Sequence, residues 1–244
     1  MTNCCCLYIG ITFISLFAFY KTNGQTSSSS DRSASFRNSL SYFQNEIGAD
    51  SHLYTGKEYT PYEKGIKGHS FFMSDQMQNS DLFYDGTLYT NIPLLFDIVR
   101  QEIVINRYHQ NVRMKLLSEK VKYFILAGHR FENITLAEGK EEYLSNGIYD
   151  IIFDGKASVL VKRLKRIRYP LKAEDPPGFV EEDLFYIRNG NSLYAVDSRS
   201  SLLQALDDKG ELIKAYVRKN KFRFKKNIEK ELMMAAAYYS TLNK

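Results

Sequence analysis

The stretch Leu82-Phe83-Tyr84-Asp85-Gly86-Thr87-Leu88-Tyr89 places an Asp-Gly pair between two short apolar and aromatic runs. This pattern is typical of a β-hairpin with a two-residue type I′ turn. Such a turn needs a positive φ at both central residues, which Asp tolerates and Gly adopts freely. With Asp85 and Gly86 in the turn, the sequence predicts the following pairs across the ladder: Tyr84 with Thr87, Phe83 with Leu88, and Leu82 with Tyr89.

The same pattern occurs twice more, around Asp154-Gly155 and around Asn189-Gly190. Between the first two hairpins, Leu94–Asp97 and Ile103–Ile105 are rich in β-branched residues, which favours two strands around a turn over a helix. Val121–Leu126 alternates in the way that a half-buried strand requires. These observations predict an α+β fold: an antiparallel β-meander that can curl into a half-barrel, with a short N-terminal helix and a C-terminal basic helical tail.

The chain begins with an apolar run from Cys4 to Tyr20, followed by Lys21 and small polar residues up to Gly24. This run predicts a signal peptide over residues 1–24, hence an exported protein that is periplasmic or associated with an outer membrane. A retained membrane anchor stays open as the alternative, although the run is shorter than the ~20 residues of a spanning helix. All three cysteines lie within it, so the mature chain would have no thiol chemistry.

Residues 25–34 are Ser-rich and are predicted to form a linker. Residues 35–196 are predicted to form the antiparallel β domain. Its N-terminal helix is indicated by apolar residues at helical spacing, followed by Gly48 as a stop. Those apolar residues are Phe36, Leu40, Phe43 and Ile47.

The sign of the charge reverses within the second half of the β domain. Seven basic residues and no acid lie between Lys156 and Lys172. Five acids follow: Glu174, Asp175, Glu181, Glu182 and Asp183. We expect the two groups to pair with each other within the protein.

Residues 197–244 are predicted to form a helical tail packed on the sheet, because Leu, Ile, Ala and Tyr recur there at helical spacing. Between Lys209 and Lys230, nine basic residues face only Glu211 and Glu229. This asymmetry predicts a site for an anionic surface such as lipid or glycolipid. Its residues are Lys219, Lys221, Arg223, Lys225 and Lys226.

Two other interpretations of the basic tail stay open. It can be an ordinary solvated helix face, or it can bind nucleic acid with Phe222 and Phe224 stacking on bases. Nucleic acid is the less favoured partner, because an exported protein seldom meets it. We expect the two phenylalanines instead to dock the linker between helices on the sheet.

Three features together resemble a group of uncharacterised secreted and envelope proteins of Bacteroidetes-type bacteria. They are the run from Tyr84 to Asp97, the strand from Lys120 that ends at Gly128-His129-Arg130-Phe131, and the tail from Ser201 through Phe222 to Tyr239. The resemblance spans most of the mature chain. It implies an envelope setting and carries no activity, ligand or cofactor.

No sequence motif for catalysis or for a cofactor is present. The four histidines form no metal-binding pattern, and the chain has neither a glycine-rich phosphate loop nor a Gly-x-Ser-x-Gly elbow. We therefore expect no metal and no cofactor. The best candidate for a catalytic pair is His129 at a strand end, with Asp85 or Asp97 as the nearby carboxylate.

These observations favour a non-catalytic exported envelope module that binds or scaffolds an envelope protein or an anionic surface, with no transmembrane segment once the signal is removed. Two alternatives from other classes stay open. One is an envelope hydrolase that uses His129 and a nearby carboxylate. The other is a protein that binds polyanions or nucleic acid through its basic tail.

Overall fold

Most of the described chain is one antiparallel sheet with helices at its C-terminal end. The structure is a computed structural model that describes residues 52–107, 112–135, 146–171 and 175–242, without the side chains of His52 and Lys225. The predicted signal segment 1–24, the linker 25–34 and the amphipathic helix at Phe36–Ile47 lie outside the described residues.

The described part contains thirteen strands and three α-helices. The strands are β1 (Lys57–Glu58), β2 (Gln78–Tyr84), β3 (Thr87–Asp97), β4 (Glu102–Asn106), β5 (Arg113–Lys115), β6 (Val121–Leu126), β7 (His129–Ile134), β8 (Gly147–Phe153), β9 (Ala157–Lys162), β10 (Lys165–Arg168), β11 (Gly178–Glu181), β12 (Leu184–Asn189) and β13 (Ser192–Ala195). The helices are α1 (Arg199–Ala205), α2 (Gly210–Lys219) and α3 (Phe224–Leu242).

Eleven strands form the main sheet, in the order β1-β5-β4-β3-β2-β6-β7-β8-β9-β12-β13. The sheet is open, with β1 and β13 at its two edges. Strands β10 and β11 form a separate antiparallel pair. The predicted α+β class with an antiparallel meander and a C-terminal helical region is confirmed.

The Asp85–Gly86 turn forms with the predicted register. Tyr84 pairs with Thr87, and the next two pairs follow as expected. Asp85 has φ 49° and Gly86 has φ 81°, as a type I′ turn requires. The predicted strands on either side of the Ile98–Gln101 turn also form, as the end of β3 and as β4.

The other two predicted hairpins form with different turns. Asn189 pairs with Ser192, so the two-residue loop is Gly190-Asn191 and not Asn189-Gly190. The second loop spans three residues, Asp154–Lys156, and Gly155 does not have a positive φ. Ser158 Oγ closes this loop by donating a hydrogen bond to Asp154 Oδ1 at 2.8 Å.

A further two-residue hairpin turn, which the sequence did not predict, lies between β6 and β7. Ala127 and Gly128 have φ 53° and 81°, and Leu126 pairs with His129. Ala seldom adopts this conformation, so the composition of the turn gave little signal. The turn matters because it makes His129 the first residue of β7.

The apolar core has two main parts. The first lies on one face of the sheet, from β2 to β8, where Phe96, Phe124 and Phe131 stack edge to face or in parallel. The second lies between the end of the sheet and the helices, where Val159 and Ile187 of the sheet meet apolar residues of all three helices.

Local sequence explains how the helices begin and end. Ser198 and Ser201 form a reciprocal capping box at the start of α1, which satisfies two backbone N–H groups. Helix α3 is bent at Asn227, where φ is −142°. None of the helices in the described part is long and apolar enough to cross a membrane.

The turn at the first hairpin can be tested by two neighbouring substitutions. Gly86→Ala should lower the free energy of unfolding by about 1–2 kcal/mol, because Ala pays the positive-φ penalty. A Cβ at Gly86 would meet no atom within 4 Å, so no steric clash contributes. Asp85→Asn should be nearly neutral, since the pair between Asp85 and Lys120 is exposed. Urea denaturation measures the free energy of unfolding of both variants. Equal stabilities of the two variants would contradict the assigned turn.

Candidate functional site

A cluster of charged side chains lies where the main sheet meets α3. It brings together His129 from β7, Asp150 from β8, Arg163 directly after β9, Asp183 directly before β12, and Glu229 from α3. We call these five residues the Arg163 cluster. Its members come from five separate elements of the chain.

Strand register explains how the first three residues come together. Asp150 pairs with Phe131 on β7 and with Val161 on β9. His129 and Arg163 are each two residues from one of these partners. Because side chains two residues apart on a strand share a face, His129, Asp150 and Arg163 all point to the same side of the sheet.

Asp150 is the buried centre of the cluster, with no exposed surface. Its Oδ2 accepts from Arg163 Nε at 2.8 Å, and it lies 2.8 Å from His129 Nδ1. A buried carboxylate needs a partner of opposite charge, because desolvation of an unpaired charge is costly. Arg163 supplies that charge, while His129 is held in one orientation.

Arg163 also contacts two further carboxylates. Its guanidinium donates to Asp183 Oδ2 at 2.8 Å and to the two oxygens of Glu229 at 2.9 and 3.2 Å. Burial lowers the pKa of Arg163, but the hydrogen bonds that it donates to Glu229 and Asp183 and the charge of Asp150 outweigh that effect and raise its pKa. The guanidinium therefore stays charged and fixes α3 to the sheet.

A cavity of about 400 Å³ opens beside the Arg163 cluster. Its described lining combines an apolar wall with a polar one: Phe72, Met73, Ile98, His129, Arg163, Glu181, Asp183 and Glu229. The Phe72 ring meets the His129 ring edge to face, with the centroids 5.1 Å apart. The described lining includes no hydroxyl and no thiol group, so it offers no side-chain nucleophile of the serine or cysteine type.

Met73 is unusual in two respects. It has a positive φ of 52°, and 61% of its surface is exposed although it is a large apolar residue. A non-glycine residue in this conformation is strained, and such strain is often found where a ligand binds. The tight turn at Met73 places it at the mouth of the cavity, next to Phe72.

The expected partners of His129 were wrong. Asp85 pairs with Lys120 at 2.7 Å, on the exposed hairpin. Asp97 is buried, and it accepts hydrogen bonds from Tyr59 and from the backbone N–H groups of Val99 and Arg100. Asp97 therefore stabilises the β3–β4 turn, and the carboxylate beside His129 is Asp150.

The expected internal pairing of the two charged groups in residues 156–183 is confirmed for three pairs. Arg163 binds Asp183, Arg166 binds Glu182, and Lys165 Nζ lies 3.6 Å from Glu181 Oε1. The antiparallel pairing of β10 with β11 places Lys165 opposite Glu181, and the other two acids follow directly after β11. The charge reversal in the sequence indicated the part of this site that contains Arg163 and Asp183, but it did not indicate Asp150 or Glu229.

The predicted anionic-surface residues lie at the turn between α2 and α3. Lys219 ends α2, Lys221 and Arg223 belong to the turn, and Lys226 lies in the first turn of α3. These four side chains are exposed, and that of Lys225 is outside the described part. The anionic-surface site remains a prediction, since no anion or surface is part of the structure.

Within the described part of the chain, no group of three or more His, Cys, Asp or Glu side chains is arranged to hold a metal ion. Comparisons with protein-family models, with curated proteins and with solved structures found no match to this chain. The resemblance to secreted Bacteroidetes-type proteins therefore stays a prediction.

The role of Arg163 can be tested against Arg166, which lies three residues away and also pairs with an acid. Arg163→Met should lower the free energy of unfolding by about 3–5 kcal/mol, because it leaves Asp150 buried without a counter-charge. Arg166→Met should cost about 0–1 kcal/mol, since its pair with Glu182 is exposed.

Chemical denaturation of both variants measures this difference. Arg163→Lys should lie between the wild type and Arg163→Met, because lysine keeps the charge but cannot bind three carboxylates through a planar fork. Similar stabilities of Arg163→Met and Arg166→Met would contradict the assigned role of Arg163.

Proposed function

We propose that this protein is a non-catalytic binding module whose cavity accepts a cationic side chain, Lys or Arg, of a partner protein. The observation that carries the proposal is the charge around the cavity. Three carboxylates, Glu181, Asp183 and Glu229, line the cavity, and the buried Asp150 lies behind Arg163. Arg163 and Lys165 are the cations paired with these four acids. Such an excess of negative charge attracts a cation.

The apolar wall suits the stem of a long cationic side chain. Phe72, Met73 and Ile98 line the cavity together with the carboxylates. Lys and Arg pack their methylene stems on apolar surface while their charged ends stay with polar groups. The volume of about 400 Å³ is within the usual range for binding pockets, about 300–1,000 Å³.

The contacts of the Arg163 cluster favour binding over catalysis. Asp150 is bonded to Arg163 as well as to His129, so its negative charge is largely compensated before any substrate arrives. Together with the lack of a hydroxyl or thiol in the described lining, this arrangement favours a fixed recognition surface. The envelope location of the module is proposed on the sequence of residues 1–24 alone.

Calorimetry with two capped tripeptides, acetyl-Gly-Lys-Gly-amide and acetyl-Gly-Glu-Gly-amide, tests the proposal. The lysine peptide should bind and the glutamate peptide should not. Glu181→Gln should weaken the binding of the lysine peptide by about two- to fivefold, as expected for loss of one partly exposed ion pair. Glu181 is 69% exposed, so the substitution should leave the fold intact.

Glu211→Gln is the matched control, because Glu211 is also exposed and pairs with Lys214 on α2, and it is not among the residues that line the cavity. It should bind the lysine peptide like the wild type. Equal binding of the lysine and glutamate peptides would contradict the proposal.

A hydrolase is the second candidate, and one observation favours it. The hydrogen bond with Asp150 fixes His129 Nδ1, and His129 lines the cavity. This orientation is the one that a general base needs to take a proton through Nε2. If His129→Ala abolished a measured ester or phosphodiester hydrolysis and kept the unfolding midpoint, the hydrolase would replace the binding module.

A further inference from the structure

The turn between α2 and α3 carries an uncompensated positive surface, which we call the basic corner. Its six described cations are exposed, and in the described part of the chain none of them has an ion-pair partner. They are Arg218, Lys219, Lys221, Arg223, Lys226 and Lys230. All six lie within thirteen consecutive residues.

The fold turns the nearby acids away from this surface. Residues 218–231 contain two acids, Glu229 and Glu231. Glu229 binds Arg163 on the side of the sheet, and Glu231 is buried and accepts a hydrogen bond from the backbone N–H of Arg223. The excess of positive charge in residues 218–231 is therefore greater on the protein surface than the sequence alone indicates.

The aromatic residues of the corner also face inward. Phe222 meets the Tyr216 ring edge to face at 5.9 Å, and Tyr216 stacks on Tyr238 at 4.1 Å. Phe222 and Phe224 pack against the apolar core between the helices and the sheet. The expected docking role of the two phenylalanines is thus seen, and their rings are not presented for stacking on nucleic-acid bases.

We propose that the basic corner binds the surface of an anionic phospholipid bilayer. The basic corner presents six exposed cations, while its two phenylalanines pack on the core. Such a surface suits lipid headgroups, which are attracted through charge and need no defined geometry. Single-stranded nucleic acid is less suited, because its binding sites combine basic charge with exposed aromatic rings. The proposal is independent of the cavity.

Vesicle co-sedimentation of the full chain tests this surface. The chain should bind vesicles of phosphatidylcholine with phosphatidylglycerol more strongly than vesicles of phosphatidylcholine alone. The apolar run Cys4–Tyr20 contributes to both, so the difference reports the charge. The difference should vanish between about 0.15 M and about 1 M salt, where the Debye length falls from about 8 Å to about 3 Å.

A triple variant and a matched triple control locate the effect. Replacing Lys219, Lys221 and Lys226 by Gln should weaken binding to the anionic vesicles by about 100-fold, as each cation near the surface contributes about fivefold. Replacing Lys57, Lys64 and Lys67 by Gln removes the same charge from exposed positions elsewhere and should have a much smaller effect.

Two outcomes would overturn the proposal. An equal loss in the two triple variants would mean that net charge and not the basic corner drives binding. Tighter binding of a single-stranded or duplex DNA fragment than of the anionic vesicles, lost in the basic-corner variant, would assign the corner to nucleic acid.

Discussion

The contact between Arg163 and the buried Asp150 is the constraint on which the junction of sheet and helices depends. A carboxylate with no exposed surface in an apolar sheet is unstable without a fixed counter-charge. Arg163 provides this counter-charge at Asp150 Oδ2 and also contacts Asp183 and Glu229. Removing the guanidinium would therefore affect the junction, the cavity wall and the position of α3 together.

The Arg163 cluster also restricts how α3 can lie on the sheet. An apolar contact between α3 and the sheet would tolerate small shifts along the helix, because hydrophobic contacts are not directional. The fork of Arg163 binds the two oxygens of Glu229 in one geometry. The cluster thus fixes the register of α3 on the sheet, and with it the direction in which the basic residues of the helix point.

The features that could be predicted from the sequence are those that depend on residues close together in the chain. The turn at Asp85–Gly86 and its register follow from two residues and their neighbours, so they were predicted correctly. The role of Asp150 depends on Arg163 and His129, which lie 13 and 21 positions away in the sequence. No local sequence pattern therefore indicates this role. One sign was available: Asp150 follows Ile148 at strand spacing, which puts an acid at an inward position of a strand. The two candidate partners of His129, Asp85 and Asp97, do not contact it because each forms its own contacts at a turn.

The edges of the main sheet are short. Strand β1 has two residues and strand β13 has four, whereas β3 in the interior has eleven. Unpaired backbone groups on a long edge strand are a template on which another molecule can add its own strand. Within the described residues, these two outermost strands therefore present few free N–H and C=O groups, and strand addition at these two edges is disfavoured.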